Sequence, residues 1–114
     1  MNRMDRVNQQ IKREIGLILL RELSDPRFMF VTITNVDVSK DLRHAKVYYS
    51  VLGDHKNLQN IKSGLEKASG MIRKLVGDRL TMRYTPELFF HFDETIEQSA
   101  RIEKTLQEIQ DESE

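Results

Sequence analysis

A chain of 114 residues has room for one domain with a modest core, and the absence of cysteine excludes disulfides and thiolate-held metals. The longest aliphatic run, Leu17-Ile18-Leu19-Leu20, falls far short of the roughly 20 apolar residues that a membrane helix needs. A net charge of zero conceals a division: residues 1–92 hold 16 Lys and Arg against 10 Asp and Glu, a balance of +6, while residues 93–114 hold 2 against 8, a balance of −6.

The polar opening Met1-Asn2-Arg3-Met4-Asp5-Arg6 lacks the apolar stretch of a secretory signal, so the cytoplasm is the expected location. Met4, Val7, Ile11, Ile15, Ile18, Leu19 and Leu23 then recur at helical steps and predict a first amphipathic helix. Asp25-Pro26 ends it, because a residue before proline is pushed out of helical geometry. Phe28 to Val38 is rich in β-branched and aromatic residues and reads as a strand. Its alternation slips phase between Val31/Ile33 and Val36/Val38, which predicts either a bulge near Thr34-Asn35 or cover on both faces. Polar Ser39 to Arg43 turns the chain, and Ala45, Val47, Tyr49 and Val51 alternate as a second strand, antiparallel to the first.

Asp54 to Leu80 is again helical, with Leu58, Ile61, Leu65 and Ala68 followed by Ile72, Leu75, Val76 and Leu80. Ala68-Ser69-Gly70 lies between the two sets. A glycine inside a helix costs about 1 kcal/mol against alanine, so two helices meeting at an angle are predicted there. Pro86 suits a strand start or a sheet edge, and Leu88, Phe90 and Phe92 share one face of a third strand. Ile96, Ile102, Leu106 and Ile109 give a last helix from Glu94. The fold class is α+β, a three-stranded sheet with helices on one face and an appended C-terminal helix.

This order, helix-strand-strand-helix-helix-strand, is that of type II KH domains, and particular residues extend the likeness. Arg6-Val7, Asp25-Pro26-Arg27, Val31-Thr32-Ile33-Thr34, Asp41-Leu42-Arg43, Ala45-Lys46-Val47-Tyr48, Ala68-Ser69-Gly70 with Ile72-Arg73, and Arg83 with Pro86-Glu87-Leu88 stand in the order and spacing of the ribosome-binding factor A family. The chain resembles that family from the first helix to about Ile109. The resemblance implies a non-enzymatic cytoplasmic protein, monomeric by default. Its expected partner is the small (30S) ribosomal subunit with its 16S rRNA, whose late maturation and 5′-end processing it promotes. Cold adaptation and release by an assembly GTPase belong to the same implication. Residues 1–93 would form the KH-like RNA-binding body and 94–114 an acidic helix and tail. The Gly-x-x-Gly loop with which KH domains clamp single strands is missing, and the helix-kink-helix at Ala68-Ser69-Gly70 stands in its place.

Phosphate contacts dominate RNA affinity, so the candidate contacts are cations. Lys67, Arg73 and Lys74 flank the expected kink, with Lys62 and Arg79 nearby. Arg43 and Lys46 after the first strand, and Arg3, Arg6 and Arg13 on the first helix, form a second group. Arg27 and Arg83 are read as structural, pairing with Asp25 or Glu87. Tyr48 and Phe89 fall out of phase with the core and are candidates for stacking on bases. No cofactor or metal is expected: His44, His55 and His91 lack ligand spacing, and no phosphate-cradling glycine loop or nucleophile motif is present. The rival reading is a protein-interaction module whose positive charge is incidental.

Overall fold

The computed structural model describes residues 2–53 and 57–94. Asn2 opens helix α1 (Arg3–Arg21) by accepting the Asp5 amide on its Oδ1 at 2.8 Å. Ile11, Ile15 and Ile18 recur on one stripe and are fully buried. Beyond the helix, Asp25 caps a 3-10 turn, Pro26–Phe28, accepting the Arg27 amide at 2.9 Å and pairing with the Arg27 guanidinium at 2.6 Å. Phe28 therefore drops into the core from a turn. The first strand, expected from Phe28, begins three residues later as β1 (Val31–Val38).

β1 and β2 (His44–Val51) form the expected antiparallel hairpin. Ile33 faces Tyr49 and Asn35 faces Tyr48, so Thr34 is an extra residue and the phase slip is a bulge. It brings Ile33, Val36 and Val38 to the same buried face. β3 (Glu87–Phe92) lies parallel to β2, giving a mixed sheet in the order β1-β2-β3. Parallel neighbours need a crossover, and helix α2 (Leu58–Leu80) supplies it. Both helices pack on one face of the sheet around a core that includes Ile11, Ile15, Ile18, Val47, Tyr49, Leu65, Ile72 and Val76.

The expected pair of helices is one element. Helical structure runs unbroken through Ala68-Ser69-Gly70 for 23 residues. Ile61, Leu65, Ala68, Ile72 and Val76 keep steps of three and four across the junction, so a single stripe meets the sheet. Each large apolar side chain so buried contributes about 1.5–3 kcal/mol, which outweighs about 1 kcal/mol for the glycine. Arg27 also braces α2: its guanidinium donates to the Asn60 carbonyl at 3.2 Å and packs on Gly64, where an added Cβ would meet its Cζ at 3.0 Å. The expected C-terminal helix lies outside the described residues beyond Glu94, as do Asp54, His55 and Lys56. Among the described residues no helix is long and apolar enough to cross a membrane.

Tyr49 is fully buried beside Phe92, and among the described residues its hydroxyl has no hydrogen-bond partner. Burial, and to a lesser degree the charge of Glu66, pushes its phenol above the ordinary value of 10.0. An unsatisfied buried hydroxyl is a cost, so Tyr49→Phe is expected to leave stability unchanged or raise it by up to about 1 kcal/mol. A chemical melt showing a clear loss would mean that the hydroxyl is paired.

Candidate nucleic-acid interface

Parallel pairing puts the starts of β2 and β3 side by side, with the Glu87 amide donating to the Arg43 carbonyl at 2.8 Å. Two loops therefore meet there: the hairpin turn before β2 and the connector between α2 and β3. They enclose a cleft of about 630 Å³ lined by two arginines, Arg43 and Arg73, and two acids, Asp41 and Glu87, together with His44, Tyr84 and Thr85. An adjoining recess of about 390 Å³ is lined by Gly70, Arg73, Lys74, Arg83 and Tyr84. Arg73, Tyr84 and Thr85 are the shared wall.

Each loop is held by its own hydrogen bonds. In the hairpin turn Asp41 Oδ1 accepts the Ser39 hydroxyl at 2.6 Å and the Arg43 amide at 3.1 Å, while the His44 amide donates to Ser39 Oγ at 3.1 Å. These bonds, the Ser39 hydroxyl foremost, hold the Asp41 carboxyl below its ordinary 3.8. A lowered carboxylate pKa stabilises the folded loop above the ordinary value, and that contribution disappears as pH falls through the lower folded one. The Arg43 amide resonance is accordingly expected to titrate with a midpoint below 3.8 and to lose that transition in Asp41→Asn. A midpoint at or above 3.8 would remove this account of the loop. The connector is tied from the helix side: Arg73 donates from Nε and NH2 to the Thr85 carbonyl at 3.1 and 2.9 Å.

Backbone strain marks the same two loops. Leu42 and Thr81 have φ of 63° and 51°, and among the described residues they are the non-glycine positions in this region. Such conformations concentrate where surrounding structure holds a site in place. Gly70 forms a bare part of the recess; nothing lies within 4 Å of where its Cβ would stand. A ligand can therefore approach the helix backbone itself.

The sequence-predicted cations divide by position. Arg43 lines the cleft, Lys74 the adjoining recess, and Arg73 both. Lys67 lies two turns before Lys74 on the same face of α2 and is exposed. Arg79 is engaged elsewhere. Its guanidinium pairs with Glu22 and, at 3.6 Å, with Glu14, fastening α2 to α1 and the residue that follows it. Lys46 projects from the uncovered face of the sheet, Lys62 stands beside β3, and Arg13 lines a groove between α1 and the β1 edge. Arg6 is exposed near the start of α1, away from these groups in the chain.

Arg83 and Tyr84 are the residues that the sequence reading undervalues. Arg83 makes no pair with Glu87; its guanidinium lies 5.5 Å from the Tyr84 ring centroid, and Tyr84 is 72% exposed. Their position in a short connector is the signal that points to them, because rigidly placed loops commonly carry binding residues. A cleft that gathers guanidinium and ammonium groups around bare backbone, beside an exposed aromatic, suits phosphate and nucleobase together. Among the described residues no cluster of His, Asp and Glu has the arrangement to hold a metal ion.

Comparison with known proteins gives consistent matches. The family model described as ribosome-binding factor A matches residues 3–106. A ribosome-binding factor A of Halothermothrix orenii is 48% identical over 112 residues, covering 98% of this chain and 92% of that protein. The crystal structure of ribosome-binding factor A from Thermus thermophilus superposes with a TM-score of 0.69, at 24% identity over 79% of this chain and 96% of that one, a likeness of fold. A homology model of the Thermus thermophilus factor, fitted into the cryo-EM map of its complex with the 30S subunit, superposes with a TM-score of 0.63. It is 26% identical, over 75% of this chain and 90% of that one.

Proposed function

The chain belongs to the ribosome-binding factor A family, and from that premise we propose that it binds the small ribosomal subunit through the cleft between its two loops and promotes late maturation of the 16S rRNA. The observation that carries this reading is the gathering of Arg73, Lys74 and Arg83 around the open backbone of Gly70, with Arg43 in the adjoining cleft. The Thermus thermophilus factor fitted to a 30S complex supports the choice of partner.

In this reading the fold is a type II KH variant in which the continuous helix α2, through Ala68-Ser69-Gly70, stands in place of two helices joined by a Gly-x-x-Gly loop. The Ser69 hydroxyl donates to the Glu66 carbonyl at 2.7 Å, within the helix itself. The protein acts by binding, as a cytoplasmic monomer, and catalyses nothing. It reads shape and phosphate, steadies an RNA segment, and thereby favours the conformation from which the 5′ end is processed. Holding a structured RNA against thermal rearrangement is of most use in the cold. The body, residues 1–93, supplies the contacts; the acidic residues 94–114 repel phosphate and ease release by an assembly GTPase. A chain ending at Phe92 should then bind the subunit more tightly, and unchanged affinity would exclude this role for the tail.

The deciding experiment is co-sedimentation with purified small subunits, large subunits and whole ribosomes across a salt series. Neutralising three to five phosphates predicts a log-log slope of about −2 to −4.5 with the small subunit alone. A second reading, docking of a protein, is favoured by the exposed cluster of Leu20, Met29 and Phe30 near the α1-β1 groove. Association that ignores salt would favour it.

A further inference from the structure

The helices cover one face of the sheet, and among the described residues nothing covers the other. Alternation places His44, Lys46 and Tyr48 of β2 and Phe89 and His91 of β3 on that open face. The rings form two cross-strand pairs: His44 with Phe89, and Tyr48 with His91, each with centroids 5.7 Å apart. Phe89 remains 42% exposed, although it lies in an ordered strand with no core to fill on that side. Asp37 of β1 stands opposite Lys46, and Glu87, on the same strand and face as Phe89, stands opposite His44, so two acids share the open face with the ring pairs.

We infer that this open face is a second contact for the same RNA, a platform on which unpaired bases stack over Phe89 and Tyr48. The inference rests on the RNA-binding reading and extends it from phosphate to base. Continuity argues for nucleic acid as the occupant. His44 belongs both to the lining of the cleft and to the first ring pair, so a strand leaving Arg43 and Arg73 meets Phe89 next. Phe89 and His91 are two residues apart on β3, about 6.7 Å, which separates two stacking positions along one strand. Lys46 faces Phe89 in register and supplies a phosphate partner between them. Nothing in this arrangement selects a particular base, since every base has a face to stack, and the face therefore binds unpaired nucleotides of any sequence.

The experiment titrates the full chain with single-stranded oligouridylate and oligoadenylate and with a hairpin duplex, beside small-subunit pelleting. Phe89→Leu keeps an apolar side chain and removes the ring, and Phe89→Trp restores one. Phe89→Leu is expected to weaken single-strand binding by about 5- to 150-fold, Phe89→Trp to retain it, and the duplex to be unaffected. Single-strand affinity unchanged in Phe89→Leu would overturn the platform while leaving the cleft intact. A wild-type chain that pellets with small subunits in a salt-sensitive way but ignores both oligonucleotides would do the same. Loss of pelleting in Phe89→Leu with oligonucleotide affinity preserved would overturn it too, and would assign the face to a ribosomal protein. Failure of salt-sensitive pelleting itself would remove the RNA-binding reading along with the platform.

Discussion

A chain carrying Arg43→Glu and Lys74→Glu is expected to lose small-subunit affinity by about 100-fold or more at low salt, and its salt slope should fall by about 2. Both residues are exposed, and among the described residues neither side chain makes a hydrogen bond or ion pair. Hydrogen bonds to a charged partner contribute about 1.5–3 kcal/mol each, and two lost together correspond to roughly two to four decades. Stability should hardly move, since exposed substitutions of this kind stay within about 0.5 kcal/mol. Arg73 is less suitable for this experiment. It fastens the Thr85 carbonyl, so its replacement would loosen the connector and confound binding with folding. The control is Lys12→Glu with Arg21→Glu, the same change in net charge on α1. Equal losses in the two variants would mean diffuse attraction to the whole body and would sink the cleft as the site.

The sequence discloses local structure here far better than it discloses the site. The bulge at Thr34 is legible because alternation must slip by one when a residue is added, and Val31/Ile33 and Val36/Val38 record that slip directly. Tyr48 and Phe89 are legible as outward-facing for the same reason. The unbroken α2 is not, because a glycine is a local cost whereas the stripe from Ile61 to Val76 is a tertiary gain. Nor is the place of Phe28, because a buried aromatic looks the same in a strand as at the end of a capped turn. The cleft itself has no signature in the sequence. The loops that carry Arg43 and Arg83 are brought side by side by the parallel pairing of β2 with β3, and nothing local announces that register. The diversion of Arg79 to Glu14 and Glu22 is long-range in the same sense. Charge gives the body an excess of cations, and topology decides which of them share a surface.

Two glycines of α2 show how the cleft is built, and they should respond in opposite ways. A Cβ on Gly77 would stand 2.3 Å from Thr85 Oγ1, closer than real contacts allow. Thr85 has little freedom to retreat, because Arg73 grips its carbonyl and Pro86, buried, follows it into β3. Gly77→Ala must therefore turn the Thr85 hydroxyl out of its rotamer or push the connector outward, at a cost of about 1–3 kcal/mol, or a fall in Tm of roughly 5–20 °C for a domain of this size. Removing the hydroxyl leaves Thr85 Cβ at 3.5 Å, an ordinary contact. In a Thr85→Ala background the same Gly77→Ala change should then raise stability, by up to about 1 kcal/mol, as alanine does inside helices generally. This reversal of sign across the cycle is the diagnostic, since two non-interacting sites would simply add. Gly77→Ala alone raising the Tm would show that helix and connector do not touch there. Gly70→Ala, by contrast, meets open space and should stabilise the helix while obstructing the recess, so that Tm rises as small-subunit affinity falls. Of the three glycines in α2, Gly77 admits the connector and Gly70 leaves the recess open, so the helix gives up stability for the shape of this cleft.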